Sequence, residues 1–177
     1  NEAVAHPFGM AGLSRRYDGL GRAAGVTLPG PMDVSLGYGY DAVGRFAALT
    51  SGLGVIEYTY VPDSVLSRGW QMSGGIGVAR AYEGARDLVA SVSNTWAGTA
   101  VSSFAYQNDA VGRRTERVDS GVTTNVFGYN LRSELIDAAM GTNRYGYRYD
   151  LIGNRVAATN NAEAFGYTAN ALNQYTS

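Results

Sequence analysis

Carboxylates are the side chains whose spacing in this sequence comes closest to catalytic chemistry. Asp109, Glu116, Asp119 and Asp150 could pair across neighbouring strands for general acid–base work. Most of them, however, occupy turn positions or stand near an arginine, where a structural ion pair is the usual role. We therefore assign no catalytic residue and expect a protein that is not an enzyme.

The single histidine, His6, offers no alternative centre. It stands beside Pro7, and one imidazole cannot build a metal cluster or a catalytic triad. We expect His6 to be a surface residue near the terminus, and we predict no metal site.

The stretch GYGYDAVGRF, residues 37–46, has some glycines of a nucleotide-binding loop. Gly37 and Gly39 begin the GxGxxG spacing, but Ala42 stands where the third glycine belongs. That fingerprint also needs a preceding parallel strand and a following helix. The stretch therefore argues against a phosphate site, and we predict no cofactor.

The residues of this stretch recur along the chain, and a structural repeat explains them better than a nucleotide-binding loop does. Strong copies of the pattern contain Tyr17, Asp18, Gly21 and Arg22; Tyr40, Asp41, Gly44 and Arg45; Tyr106, Asp109, Gly112 and Arg113; and Tyr149, Asp150, Gly153 and Arg155. Weaker copies surround Tyr60, Tyr82, Tyr129 and Tyr167, and successive tyrosines are 18 to 24 residues apart. The sequence thus predicts an N-terminal lead-in over 1–13 and an array of about eight repeats of roughly 20 residues over 14–177.

Each residue type of the pattern has a structural role. Asp bonds nearby backbone amides and Gly accepts a positive φ, so the pair favours a tight turn. The Arg that follows the Asp by four residues in three copies can fold back across the turn to the carboxylate. We expect each Tyr ring to stack on the equivalent ring of the next repeat.

The segments between these turns read as β-strands. Thr and Val flank Asp119, Ser120 and Gly121, which predicts an antiparallel hairpin. The stretch NRYGYRYD places alternate tyrosines on one face. A short helical turn is conceivable over 132–141, but its β neighbours favour a strand there. The predicted fold class is all-β, a curved antiparallel sheet of repeated β-hairpins.

Composition narrows the function classes. Fourteen basic and fifteen acidic residues give a net charge of −1, so no electrostatic footprint for nucleic acid is present. No apolar run approaches the ~20 residues of a membrane span. The chain has no cysteine, which leaves the compartment open. Because the sequence starts at Asn1 without Met, we expect it to be a piece of a longer polypeptide.

The repeats resemble the RHS or YD-repeat family, whose signature is a Tyr-Asp pair followed by Gly-Arg. The resemblance spans about residues 14–177 and rests on YDGLGR, YDAVGR, NDAVGR, YDLIGNR and the closing YTANALNQYTS. It implies a β-sheet that spirals into a hollow shell, as in bacterial RHS toxins, the C component of insecticidal toxin complexes and animal teneurins. Several copies depart from the signature, and residues 1–177 contain no self-cleaving core or effector, so we assign neither self-cleavage nor toxin activity to this chain.

The resemblance implies a role for this chain and names its partners. We expect a structural wall segment of a secreted bacterial shell, located extracellularly or at the cell surface, that encloses or presents a cargo or toxin effector carried elsewhere in the polypeptide. Its partners are then the remaining repeats and that effector domain. The shell hypothesis predicts one sheet face lined by Tyr and aliphatic groups and an outer face that is polar.

Aromatic residues support an alternative function, a cell-surface adhesion or carbohydrate-binding module with a glycan or protein partner. The 13 tyrosines, Trp70 and Trp96 could expose flat platforms for sugars, although aromatic stripes at period two most often pack across strands. Trp96 is the first candidate for exposure because it is nearest a polar loop, and Trp70 is the second.

Overall fold

The computed structural model describes residues 2–4, 12–30 and 33–176, and in Glu2–Val4 only the backbone. His6 and most of the predicted lead-in lie outside the described residues. The described residues form an all-β fold without helices, as the alternation of side chains predicted. The strands are β1 Glu2–Val4, β2 Leu13–Tyr17, β3 Ala23–Leu28, β4 Val34–Tyr40, β5 Phe46–Ser51, β6 Gly54–Tyr60, β7 Ser67–Met72, β8 Ile76–Tyr82, β9 Val89–Trp96, β10 Thr99–Asn108, β11 Arg114–Asp119, β12 Thr123–Tyr129, β13 Leu135–Met140, β14 Asn143–Tyr149, β15 Arg155–Asn160 and β16 Glu163–Gly166.

The strands follow one another in the sheet in the order of the sequence. The prediction of repeated antiparallel hairpins is confirmed, including the hairpin of β11 and β12 around Ser120–Val122. The segment for which a helical turn was conceivable is strand β13, paired with β12 and β14. From β4 onward, connections of two kinds alternate: a turn of five or six residues that carries the repeated motif or a variant of it, and a short turn of two or three residues.

The chain divides into two compact units. The first comprises Asn1–Arg80 with Ser93–Val101, and the second comprises Ala81–Val92 with Ser102–Ser177. Both show the same distribution of side chains between the two faces of the sheet.

In the first unit the strand register separates an apolar face from a polar one. Because residues directly opposite each other share a face, the pairs Tyr38–Leu49, Leu49–Ile56 and Tyr58–Trp70 build one continuous apolar surface. The opposite face carries the pairs Gly37–Thr50, Gly39–Ala48, Ala48–Glu57 and Glu57–Gln71. Glycine is required at Gly69 on this polar face, where φ is 157° and a Cβ would overlap the carbonyl of Val78.

The second unit repeats this division and adds small residues between large ones. On the apolar face Ala138 lies opposite Phe127 and Tyr145, and Ala158 lies opposite Tyr147 and Phe165. The polar face of this unit carries Gln107, Glu116, Gly128, Asp137, Arg144, Arg148 and Thr159. A two-faced sheet is therefore present in each unit, but the apolar face of the second unit also carries the polar cluster of Arg117, Asp119 and Asn125.

Burial is slight, as expected for a single layer. Among the described residues the buried hydrophobic side chains are Ala138 and Ala158, and no large side chain is fully buried. A sheet without a second layer has nothing to bury its large side chains against. The fold must therefore depend on strand pairing, on packing between neighbours on the apolar face and on the turns.

Overpacking at Ala138 tests this account of the apolar face. Ala138 is 2% exposed, so the leucine of Ala138→Leu has to displace the rings of Phe127 and Tyr145. We expect a loss of about 1–3 kcal/mol in unfolding free energy, measured by urea denaturation. The control, Ala164→Leu, adds the same atoms to an exposed position on the polar face and should change stability by less than about 0.5 kcal/mol. Equal effects of the two changes would contradict the packing role of Ala138.

Candidate functional site

The turn that carries the motif is built around one aspartate. Asp41 accepts hydrogen bonds at Oδ1 from the amides of Val43 and Arg45, at 3.1 and 2.8 Å. Its Oδ2 accepts a third bond from Nε of Arg45 at 2.6 Å. The amide of Asp41 donates to the carbonyl of Arg45, and the amide of Gly44 donates to the carbonyl of Asp41. One carboxylate thus organises the whole turn and pairs with the guanidinium at its end.

Two further copies reproduce this geometry. Nε of Arg22 donates to Asp18 at 2.7 Å, and Nε of Arg113 donates to Asp109 at 2.6 Å. The prediction that Arg folds back across the turn is confirmed in all three copies. The residue before each Arg is a glycine with φ of 78°, 86° and 89° in chain order, a left-handed conformation that explains the glycine of the pattern.

In the fourth copy the position of the arginine belongs to Asn154. Nδ2 of Asn154 donates to Oδ2 of Asp150 at 2.9 Å, whereas Arg155, which the sequence grouped with this copy, is the first residue of β15. The guanidinium of Arg155 lies over the ring of Tyr167, 4.6 Å from its centroid. The residue four positions after the Asp is therefore the one that bonds its carboxylate. An Arg one residue later, such as Arg155, contacts a tyrosine ring instead.

Two weaker copies keep the frame of the turn with other side chains. Asn130 accepts from the amides of Arg132 and Glu134 and donates from Nδ2 to Glu134. Asn170 accepts from the amides of Leu172 and Gln174 and donates to Gln174 at 3.1 Å. The backbone geometry thus persists when the Asp–Arg ion pair is replaced by an amide–carboxylate pair, as at Asn130, or by an amide–amide pair, as at Asn170.

Arginines also connect one motif turn to the next. Nη1 of Arg113 donates to the carbonyl of Asn130 at 3.0 Å, and Nη1 of Arg86 donates to the carbonyl of Asp109 at 2.6 Å. In the first unit Nη1 of Arg45 reaches the carbonyl of Ser64. We call this arrangement the guanidinium clamp: an arginine that bonds its own turn through Nε and the following turn through Nη.

Tyrosines complete the clamp. Tyr40 donates from its hydroxyl to the carbonyl of Ala23 at 2.8 Å, and Tyr60 donates to the carbonyl of Phe46 at 2.6 Å. The guanidinium carbon of Arg22 lies 4.2 Å from the ring centroid of Tyr40, and that of Arg45 lies 4.5 Å from the ring centroid of Tyr60. In the second unit Tyr129 makes both contacts, with the carbonyl of Arg114 and the guanidinium of Arg113.

These contacts correct the expected stacking of tyrosine on tyrosine. At Tyr40, Tyr60 and Tyr129 the ring receives the guanidinium of the preceding turn. The reason is geometric: the motif arginine already points along the sheet from its own carboxylate, and a planar guanidinium stacks well on an aromatic face.

The remaining motif tyrosines occupy different positions. Asn108, and not Tyr106, directly precedes Asp109, and its Nδ2 donates to Glu83 at 2.8 Å. Tyr106 lies two residues earlier on the apolar face, where the guanidinium carbon of Arg114 is 3.6 Å from its ring centroid. Tyr149 precedes Asp150 as the pattern requires, and burial raises the pKa of its phenol. Tyr17 precedes Asp18 in the same way and is exposed.

The four carboxylates considered for acid–base work have separate structural partners. Asp109 and Asp150 organise motif turns, and Glu116 accepts a bond from Nε2 of Gln107 at 2.6 Å. Asp119 accepts two bonds from Arg117, at 2.6 and 2.9 Å, and one from the buried Asn125. No local pattern in the sequence indicates the Asn125 contact, because it depends on the register of β11 and β12.

Hydrogen bonds shift the pKa of the motif carboxylates. The side-chain amide of Asn154 is the main cause that lowers the pKa of Asp150. The backbone amide of Arg22 is the largest influence on Asp18 and lowers its pKa. At Asp41 partial burial raises the pKa, but the bonds from Arg45 outweigh this effect and leave the pKa below its ordinary value. The folded turns therefore favour the ionised form of these three carboxylates.

Both tryptophans belong to the first unit, and the register places Trp70 on its apolar face. Trp96 is 54% exposed and Trp70 is partly buried, which agrees with the expected order of exposure. Both line an open cavity of about 560 Å³, together with Ile76, Val78 and Val101. The sequence could not predict that these two side chains line the same cavity, since they come from different strands.

Membrane-spanning helices and clusters of metal-ligating side chains are two other features that could define a function. Within the described ranges, no helix is long and apolar enough to cross a membrane. The same ranges contain no group of three or more His, Cys, Asp or Glu residues that could hold a metal ion.

Comparisons with solved structures show a fold that is already known. A chain in the crystal structure of TcdB2-TccC3 matches with a TM-score of 0.56 and 14% identity over 93% of this chain and 12% of that one. A chain in the crystal structure of TcdB2-TccC3-Cdc42 matches with a TM-score of 0.55, 14% identity and the same coverage. The Photorhabdus luminescens Tc holotoxin pore matches with a TM-score of 0.53 and 13% identity over 93% of this chain and 11% of that one.

These matches define the class of fold. The chain shares the antiparallel repeat sheet of a segment of these toxin-complex chains and spans about 12% of their length. No protein-family model and no curated protein matches the sequence.

Exchanging two motif turns tests the role of the lowered pKa values. Asp150→Asn with Asn154→Gln copies the uncharged Asn170–Gln174 turn. The ordinary pKa of Asp150 is 3.8 and its folded pKa is lower, so its stabilisation is present above pH 3.8 and is lost as the pH falls through the folded pKa. The double variant should lose less stability than the wild type over that acid range, measured by urea unfolding at a series of pH values.

The reciprocal exchange provides the control. Asn170→Asp with Gln174→Asn adds a carboxylate turn in place of an amide turn, so its stability should fall more steeply in acid than that of the wild type. If both double variants follow the wild-type pH profile, the carboxylates do not stabilise the turns.

Proposed function

We propose that this chain is a wall segment of an RHS-type shell and acts mechanically, without catalysis of its own. The proposal is supported by the Tyr-Asp and Gly-Arg recurrence and by the fold shared with chains of toxin complexes. The shell encloses or presents a cargo that another part of the same polypeptide carries. A location outside a bacterial cell or at its surface belongs to this proposal.

The observation that carries the proposal is the two-faced single layer. One face of each unit carries mainly aromatic and aliphatic side chains, joined in the second unit by the cluster of Arg117, Asp119 and Asn125, and the other carries mainly glycine, threonine and charged groups. A soluble sheet with one apolar face normally packs that face against another layer. A closed wall satisfies the same requirement by turning the apolar face toward an enclosed space and its contents.

The guanidinium clamp suits a wall that has to extend over many repeats. Arg113 bonds only its own turn and the next one, so its stabilisation depends on neighbours and not on a central core. Repeats can be added at either end without disturbing those already paired. The partners in this proposal are accordingly the flanking repeats and an effector domain of the polypeptide.

Cysteine accessibility tests the orientation of the wall. The chain has no cysteine of its own, and Leu49 and Thr50 are adjacent in β5 but lie on the apolar and polar faces. We expect Leu49→Cys to react with a bulky polyethylene-glycol maleimide in the isolated chain but to be protected by an order of magnitude in the full-length polypeptide. In the full-length polypeptide, any cysteine outside this chain is first replaced by serine.

Thr50→Cys is the matched control and should react in both proteins. Equal reaction of both cysteines in the full-length polypeptide would mean that its apolar face is not enclosed, and the wall proposal would fail. Protection of Thr50→Cys instead of Leu49→Cys would reverse the orientation.

The cavity shared by Trp70 and Trp96 favours a second candidate, a surface module that binds a carbohydrate. The exposed indole of Trp96, in a cavity that Trp70 also lines, offers a platform on which a sugar ring can stack. This function requires the apolar face to be open to the outside, whereas the wall requires it to be enclosed. The two candidates therefore make opposite predictions for the same surface.

A glycan array distinguishes them. If the module binds sugars, the chain should give specific signals that Trp96→Ala removes, and that Trp96→Phe, which keeps a flat ring, partly retains. Val122→Ala, far from the two tryptophans in sequence and exposed at a short turn, is the control and should retain the signals. Absence of binding, or binding that Trp96→Ala leaves unchanged, removes this candidate.

A further inference from the structure

Four successive motif turns in the second unit, from residue 109 to residue 174, carry exposed aliphatic side chains at their tips. Val111, Leu131, Leu151, Ile152 and Leu172 are 72–105% exposed, and each lies one or two residues after the Asp or Asn that organises its turn. Turn tips are ordinarily occupied by small or polar residues, because they face water. We call these five side chains the tip row.

The opposite ends of the same strands differ. The short turns of this unit lie at Ser120–Val122, Gly141–Thr142 and Asn161–Ala162, and of their residues Val122 is the large hydrophobic one that is exposed, at 85%. Apolar tips are thus found at four of the five motif turns of the unit, whereas the turn at 83–88 has Gly84 and Ala85 at the equivalent positions, and they are sporadic at the short turns.

Hydrogen bonds hold the tips in line. Successive motif turns are separated by two strands, which corresponds to about 9.6 Å. Arg113 donates to the carbonyl of Asn130 at 3.0 Å, Arg132 donates to that of Leu151 at 2.6 Å, and Nδ2 of Asn154 donates to Asn173 at 3.3 Å. The tip row is therefore a regular apolar strip on a fixed frame.

Charge indicates what such a strip can face. The acidic and basic side chains of the first two turns cancel, Asp109 with Arg113 and Glu134 with Arg132. The turn at 170–174 has no charged side chain, and the turn at 150–154 has the single carboxylate of Asp150. Three of the four turns thus have no net charge, so two such rows can approach each other without strong repulsion.

We propose that the tip row docks against the tip row of a second copy of this chain. A strip with a period of two strands is best matched by one with the same period, and a pair of identical strips is self-complementary. At about 100 Å² per exposed aliphatic side chain, each row offers about 500 Å². Complete burial of both rows would remove at most about 1,000 Å² from water, which is the lower limit for a specific interface.

This docking does not depend on the wall proposal. It requires only the motif turns. It would join two chains through the ends of their strands, whether or not the apolar face of the sheet encloses anything. It also differs from association through that apolar face, which does not contain the tips.

Single cysteines locate the contact. In a chain without native cysteine, Leu131→Cys places one thiol in the tip row, and Val122→Cys places one of similar exposure at a short turn. Under mild oxidation at concentrations where the chain associates, we expect Leu131→Cys to form disulfide-linked dimers at least several times faster than Val122→Cys. Equal rates, or faster linkage through Val122→Cys, would overturn the proposal.

Sedimentation of a second variant supplies an independent readout. Leu131→Asn with Ile152→Asn changes only solvent-exposed atoms, so the β-sheet circular dichroism should be unchanged. Its weight-average mass should stay that of a monomer at concentrations where the wild type associates. A wild-type chain that stays monomeric up to its solubility limit, or a variant with intact fold that associates as strongly as the wild type, would overturn the proposal.

Discussion

The bond between a motif carboxylate and its arginine is the interaction on which the rest of this structure depends. Asp41 and Asp109 each bind two backbone amides and one guanidinium Nε, and this fixes the turn and aims the remaining Nη groups along the sheet. The guanidinium of Arg113 then reaches the carbonyl of Asn130 and the ring of Tyr129. Because the single-layer sheet buries almost no large side chain, such contacts at strand ends have to supply order that a hydrophobic core supplies in other folds.

A clamp that involves only adjacent turns has consequences for what the protein can do. Each contact adds stability locally, so the array can be extended, and its two faces stay free for other purposes. One face is apolar and the other polar, which suits a boundary between an enclosed space and solvent. The motif turns leave their apolar tips outside the clamp, where they are available to a partner with the same spacing.

Much of the fold could be predicted from the sequence, because alternation and turn residues are local signals. The hairpin at Ser120–Val122 and the return of Arg22, Arg45 and Arg113 to their carboxylates depend on residues a few positions apart. Contacts between repeats could not be predicted in the same way, since they depend on register. Three examples join residues from different repeats: the guanidinium of Arg22 over Tyr40, the hydrogen bond from Asn108 to Glu83, and the cavity lined by both Trp70 and Trp96. Asn154 was missed because Arg155 beside it matched the expected residue type, although only the fourth position after the Asp reaches the carboxylate.

Nuclear magnetic resonance of the arginine Nε–H groups tests the guanidinium clamp most directly. In the wild-type chain the Nε–H protons of Arg22, Arg45 and Arg113 lie in hydrogen bonds of 2.6–2.7 Å to aspartate, whereas Arg148 is exposed on the polar face. The account predicts that the first three signals exchange slowly with water at neutral pH, while that of Arg148 exchanges rapidly. Equally rapid exchange of all four signals in the folded protein would show that the carboxylates do not hold their arginines, and would contradict the account.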